Sequence, residues 1–251
     1  MGLVLVTGGT GSLGSKLVPR LAADGHRVRI LSRRPGGADV VQGDLRTGAG
    51  LEAAVDGVDV IAHCASSPFR HTKDTDVEGT RRLLQAVRAG GGRPHLVYVS
   101  IVGVDRIPFG YYQQKFATEQ VIEAGDVPWT ILRAVQFHEL LDYAFSRMKG
   151  ALIALRGVRF QLLAADECAA RLASLVNGPA SGRVPDMGGP EARSMIDLAR
   201  VYRRTRGWRR PVLQLPAPGK AGRAFKAGDN LAPDHPDGTI TWEQWLASRY
   251  G

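Results

Sequence analysis

The chain has 251 residues, 44% hydrophobic and 23% charged, which is enough apolar material for a sizeable core and excludes wholesale disorder. Its formal net charge of +9 rests on 33 Lys and Arg against 24 Asp and Glu, a balance that suits a phosphorylated ligand, nucleic acid or an acidic surface.

The first apolar run, 3–7, is too short for a signal segment and leads straight into glycines. Those glycines lie in Thr7-Gly8-Gly9-Thr10-Gly11-Ser12-Leu13-Gly14. Gly9, Gly11 and Gly14 satisfy G-x-G-x-x-G, and Gly8, Gly11 and Gly14 satisfy G-x-x-G-x-x-G. Between a strand and a helix, such a turn lets a pyrophosphate approach the backbone and meet the helix's unpaired amides. The following helix carries Leu13, Leu17, Val18 and Leu21 at helical spacing, despite Pro19, and stops at Asp24-Gly25.

A second strand at 28–31 ends on Ser32-Arg33-Arg34. A site for NAD places an acid there, to bind the adenosine ribose. Arg33 and Arg34 instead suit a 2′-phosphate, so NADP(H) is preferred and NAD(H) is the alternative; the opposing reading makes them plain surface charges. A third strand at 40–42 precedes Gly43-Asp44-Leu45. Asp44 is placed either to accept from the adenine amino group or to cap its own turn.

The fourth strand, 58–64, contains Cys64, and a second cysteine, Cys168, stands far away. Neither has metal-ligand spacing, so no metal is expected, and a reducing, cytoplasmic setting fits. Helical spacing of Leu83, Leu84 and Val87 leads to a strand at 96–100, and Phe116, Gln120 and Glu123 mark a helix before a strand at 130–133. This alternation predicts an α/β fold, a Rossmann doubly wound parallel sheet over 1–133. After 134 the alternation stops. Helices are expected at 136–148, 165–177, 194–203 and 242–250, with Ser194 and Thr241 as caps and turns at 188–190 and 216–220. This portion, 134–251, is expected to form a small C-terminal α+β substrate lobe beside the carboxyl ends of the sheet, within a single NAD(P)-binding domain.

The basic run Arg203-Arg204-Thr205-Arg206-Gly207-Trp208-Arg209-Arg210 lacks a nucleic-acid-reading motif, so it reads as a solvated face and no direct nucleic-acid partner is expected. No stretch approaches the about 18 apolar residues of a membrane span, and no membrane partner is expected.

Beyond the glycine turn, the motifs Asp76-Val77-Glu78-Gly79-Thr80, Val97-Tyr98-Val99-Ser100, Tyr111-Tyr112-Gln113-Gln114-Lys115 and Trp129-Thr130-Ile131-Leu132-Arg133 extend the pattern. The sequence resembles the atypical short-chain dehydrogenase/reductases, in particular their NmrA-like, NAD(P)H-binding branch. The resemblance implies that Gly8, Thr10, Gly11, Ser12, Leu13 and Gly14 serve the pyrophosphate. It implies Arg33, with Arg34, for the 2′-phosphate, Asp44 and Leu45 for the adenine, and Ala65 and Ser66 beside the nicotinamide ribose.

Ser100, Tyr111 and Lys115 match the superfamily's Ser and Tyr-x-x-x-Lys. A phenol of pKa about 10 is a weak acid at neutral pH, and a nearby ammonium would lower it. Lys115 would also hold the nicotinamide ribose, and Ser100 would polarise a carbonyl. Tyr112 competes with Tyr111 for the pocket-facing position. Phe69, Phe109, Tyr112, Phe137 and His138 are candidate substrate-pocket walls. The expected activity is an NADPH-dependent reductase passing hydride to a small, fairly apolar carbonyl, quinone or enone, as a monomer or homodimer. The alternative is a non-catalytic NADP(H)-binding redox sensor acting through a protein partner.

Overall fold

The computed structural model describes residues 1–68 and 70–251; Phe69, named above as a pocket wall, lies outside the described residues. The elements run β1 (Leu3–Thr7), α1 (Gly14–Ala23), β2 (Arg27–Ser32), β3 (Val40–Gln42), α2 (Leu51–Val55), β4 (Val60–His63), a π-helical turn (Lys73–Val77), α3 (Glu78–Ala89), β5 (His95–Ile101), α4 (Gly110–Glu123) and β6 (Trp129–Ala134). They continue through α5 (His138–Arg147), β7 (Leu152–Leu155), β8 (Arg159–Phe160), α6 (Ala165–Asn177), β9 (Gly182–Arg183), β10 (Arg193–Ser194), α7 (Met195–Thr205), β11 (Val212–Leu215), α8 (Gly219–Ala227) and α9 (Trp242–Tyr250). Two compact units emerge: Met1–Ser100 with Gly110–Leu132 and Cys168–Val184, and Ile101–Phe109 with Arg133–Glu167 and Pro185–Gly251.

The first unit is built on a seven-stranded sheet of order β3-β2-β1-β4-β5-β6-β9. β1 pairs in parallel with β2 and β4, β2 with β3, β4 with β5, and β6 with β9. It is the expected doubly wound arrangement. Val4, Leu5 and Val6 of β1 are fully buried, as apolar strands covered on both faces should be. Leu5, Leu31, Ile61, Leu83, Leu96 and Ile131 share one core cluster. From β1 the chain winds one way to β2 and β3, then returns to β4 on the other side. The reversal opens a crevice at the carboxyl ends of β1 and β4, where ligands of such sheets bind. α1 tolerates Pro19 because that residue lies on its exposed face while Leu17 and Leu21 are buried; the missing N–H costs one ladder bond.

The second unit combines α5, α7, α8 and α9 with two short sheets, parallel β7–β11 and antiparallel β8–β10. Ser194 caps α7 by accepting from the Asp197 amide, and Thr241 with Gln244 forms a full capping box on α9. Two expectations need correction. The stretch 216–220 is not only a turn, because α8 starts at Gly219 after an extended Pro218. The strands β7, β8, β10 and β11 went unread because two- to four-residue pairs leave too little period to detect.

Candidate active site

The turn after β1 is built by close backbone contact. Gly8 has φ +68°, and a Cβ there would lie 2.7 Å from the Ala65 nitrogen. A Cβ on Gly14 would lie 2.3 Å from the Gly8 carbonyl oxygen. The Gly11 amide closes the turn on Gly8 O at 2.9 Å. Among the described residues, the amides of Ser12, Leu13 and Gly14 donate to no carbonyl, and α1 has no side-chain cap. Thr10, Gly11 and Ser12 are exposed, while Leu13 and Gly14 are buried. A helix start with open amides and a partial positive charge fits a diphosphate.

Arg33 and Arg34 follow the carboxyl end of β2 and are both exposed, with no ion pair among the described residues. Asp44 caps its turn: Oδ1 accepts from the Arg46 amide at 2.9 Å. Of its two candidate roles, the structural one is therefore present. The Leu45 side chain is 5% exposed and belongs to the core cluster, and its carbonyl accepts from Arg82 at 3.2 Å.

The segment after β4 carries the densest polar wiring. Ala65 donates its amide to Thr7 Oγ1 at 3.2 Å, and Thr7 Oγ1 meets His63 Nδ1 at 2.6 Å. His63 Nε2 lies 2.8 Å from Thr80 Oγ1, which donates to the Asp76 carbonyl. His63 is fully buried, and burial, aided by the Lys115 charge, drives its pKa down to about 3. It is therefore a neutral strut between β1, β4 and α3. Asp76, in the π-helical turn, is 1% exposed. Its Oδ1 accepts from Ser66 Oγ at 2.6 Å and its Oδ2 from the Ser67 amide at 3.0 Å. Ser66 Oγ also contacts Tyr111 Oη at 2.9 Å.

α4 turns a polar face inward: Tyr112, Lys115, Thr118 and Glu119 are all buried. Such burial is costly unless each group is satisfied. Lys115 Nζ donates to the Val99 carbonyl at 2.8 Å and stands over the Tyr98 ring at 4.2 Å. Burial lowers its pKa, and Asp76 and Glu119 oppose that. Tyr111 and Lys115 share α4, with the Tyr111 hydroxyl engaged by Ser66 and the Tyr112 ring packed edge-on against Tyr111. The Tyr111 phenol is not lowered as the sequence suggested. Burial pushes it up to about 12, the Ser66 bond lowers it, and Asp76 raises it. Ser100 Oγ is buried without a hydrogen-bond partner among the described residues. Cys64 next to Ala65 is a poor nucleophile, because burial raises its thiol to about 12.

The second unit holds three of the expected pocket walls. Phe109 is exposed and Phe137 half-buried. His138 is corrected from wall to core. It is fully buried, stacked on Trp242 at 5.6 Å and Trp245 at 5.5 Å, with Nε2 at 3.1 Å from the Ile240 carbonyl. Burial brings its pKa down to about 4. The sequence assigns no part to Thr7, His63 or Thr80, because nothing in a local pattern marks bonds across 56 or 17 positions.

The sequence profile of the NAD(P)H-binding family matches residues 8–142. The chain belongs to this NAD(P)H-binding family. It is an atypical short-chain dehydrogenase/reductase, a family of NAD(P)-dependent oxidoreductase type. Over 204 residues it is 34% identical to the (4-alkanoyl-5-oxo-2,5-dihydrofuran-3-yl)methyl phosphate reductase of Streptomyces griseus, covering 76% of this chain and 69% of that enzyme. Over 144 residues it is 34% identical to the ceramide reductase of Caulobacter vibrioides, covering 53% of this chain and 45% of that protein, under half its length. Among solved structures, an NADPH complex of an NADPH-dependent quinone oxidoreductase from Escherichia coli superposes with TM-score 0.77 at 19% identity, covering 99% of this chain and 100% of that one. A nucleoside-diphosphate-sugar epimerase from Staphylococcus aureus gives 0.76 at 15% identity, covering 98% and 99%. At such identities these structures establish the fold. Among the described residues no His, Cys, Asp and Glu cluster suits a metal, and no helix is long and apolar enough to cross a membrane.

Proposed function

We propose that the protein is an NADPH-dependent reductase that passes hydride to a small, fairly apolar carbonyl, quinone or enone. One observation carries this reading: Tyr111, Lys115 and the Ser100 Oγ, unpartnered among the described residues, belong to the same unit as the open-amide glycine turn, on α4 and the carboxyl half of β5. The bound reduced nicotinamide supplies the hydride.

The chain's own residues supply the rest. The amides of Ser12, Leu13 and Gly14 bind the diphosphate, and Arg33 and Arg34 favour the 2′-phosphate over a bare ribose. Lys115 holds a positive charge where the ribose hydroxyls and developing oxyanion gain from it. Ser100 donates to the carbonyl oxygen, and Tyr111 delivers its proton. The names of two relatives, an oxo-dihydrofuran phosphate reductase and a quinone oxidoreductase, favour acceptors with a carbonyl conjugated to a ring.

A panel of aldehydes, ketones, quinones and enones, assayed for loss of the reduced nicotinamide absorbance, tests this. NADPH oxidation by at least one quinone or enone is expected. Tight NADPH binding with no oxidation by any class would overturn it in favour of a redox sensor.

A further inference from the structure

We propose that the parallel pair β7–β11 and its basic flanks form a docking surface for an anionic lipid bilayer, on which the protein lies without crossing it.

Charge is the first observation. Between Asp142 and Asp166 the sequence carries Arg147, Lys149, Arg156 and Arg159 and no acid. Between Asp197 and Asp229 it carries nine further Lys and Arg and again no acid. These two stretches hold thirteen of the chain's 33 basic residues and none of its 24 acidic ones, so the net charge of +9 divides into +13 here and −4 elsewhere. The two stretches meet in the fold. β7 belongs to the first and β11 to the second, paired from Leu152↔Val212 to Leu155↔Leu215. Arg210 Nη1 donates to the Met148 carbonyl at 2.9 Å just before the pair, and the Arg156 amide donates to the Leu215 carbonyl at 2.8 Å at its end.

The second observation is apolar. Residues two apart on a strand share a face, and so do in-register neighbours of a parallel pair. Leu213 and Leu215 therefore share a face with Ile153 and Leu155, both half-buried. The opposite face carries Leu152 and Ala154, fully buried in one core cluster with Leu198 and Ala199 of α7. Leu213 and Leu215 are instead 47% and 48% exposed. Among the described residues no third strand continues the pair. Exposed Arg209 precedes β11, and exposed Lys220 and Arg223 follow it on α8.

Aliphatic side chains flanked by cations match the boundary between acyl chains and anionic headgroups. The sequence led to no expected membrane partner because no apolar run is long enough to span. Lying on a bilayer requires exposed apolar side chains and local positive charge instead, and this pair supplies both. Nucleic acid fits less well. Its phosphates would match the cations but leave the leucines facing water, and base stacking needs free aromatic faces. Here Arg210 stands 4.0 Å over the Trp208 ring and Arg206 4.0 Å over the Tyr250 ring. The surface belongs to the second unit alone and stands independently of the reductase reading.

Co-sedimentation of the full chain with vesicles tests it, using phosphatidylcholine alone and an equimolar mixture with phosphatidylglycerol. Binding to the mixed vesicles is expected to be at least about tenfold tighter and to weaken as salt rises. The triple variant Arg209→Gln, Lys220→Gln, Arg223→Gln should lose at least about tenfold, each cation near such a surface being worth about fivefold. Leu213→Ser with Leu215→Ser should lose at least about fivefold. Thermal melts of both variants should match the wild type, since the altered side chains are exposed. Leu213→Trp reports insertion and decides the matter where the serine pair melts lower: its added emission should shift to the blue and be quenched by brominated acyl chains on mixed vesicles only. Absent binding, or equal binding to both vesicle types, overturns the proposal. So does tighter binding to a labelled oligonucleotide that ignores the leucine changes, which makes nucleic acid the ligand. Leucine changes that alter only the oligomeric state in sedimentation overturn it as well, because a second copy then covers the face.

Discussion

Lys115 Nζ stands 4.2 Å above the centroid of the Tyr98 ring while donating to the Val99 carbonyl at 2.8 Å. The charge is thereby held beside β5 by a ring face and a main-chain dipole.

Replacing Lys115 by Met keeps the volume and removes the charge. We expect kcat/KM to fall at least about 100-fold, the scale of losing a positioned charge at the reacting centre. Steady-state kinetics with NADPH checks this; a loss under threefold would remove Lys115 from the chemistry.

Acid stability follows from two buried imidazoles. His63 and His138 have pKa values lowered from 6.5 to about 3 and about 4. A base with a depressed folded-state pKa contributes stability in full above 6.5 and loses it as pH falls towards the folded value. At about pH 4.5 each should cost roughly 2–3 kcal/mol relative to neutral pH. Denaturant unfolding at the two pH values measures the sum, and His63→Gln should remove the His63 share. A flat profile between them would contradict the burial argument.

The exposed guanidiniums after β2 should set cofactor choice. Calorimetry should find NADPH bound several-fold more tightly than NADH. Arg33→Asp should narrow that gap by weakening NADPH, and the Arg33→Ala, Arg34→Ala pair should leave NADH within about twofold, since only the 2′-phosphate contact is lost. Equal wild-type affinities would defeat the preference.

The glycine turn has no room to spare. In Gly14→Ala the new methyl would sit 2.3 Å from Gly8 O, so α1 must shift. We expect roughly 1–3 kcal/mol of destabilisation, on the scale of overpacking, and NADPH affinity reduced at least tenfold. Thermal melts with and without NADPH separate the two effects: a variant that melts and binds like the wild type would refute the packing account.

Much of the first unit was legible. β1 and β3 fall where the sequence put them, and α6 matches to the residue, because buried strands and amphipathic helices carry their own period. Arg33 and Arg34 lie just past the end of β2 as anticipated. Less visible was what depends on distant partners. His138 looked like a pocket residue because its ring meets Trp242 and Trp245 only after folding. Asp76 lacked a helix-period signal because a π-helical turn sets its direction. The lowered Tyr111 phenol expected from Lys115 did not appear because burial outweighs the other influences.

The central claim is hydride delivery from NADPH bound at the glycine turn. Anaerobic rapid mixing of NADPH-loaded protein with a quinone or enone, followed through the nicotinamide absorbance, tests it most directly. The account predicts one exponential loss equal in amount to the loaded protein, slowed in Tyr111→Phe with carbonyl acceptors. Bound NADPH whose absorbance stays unchanged with every acceptor would contradict it.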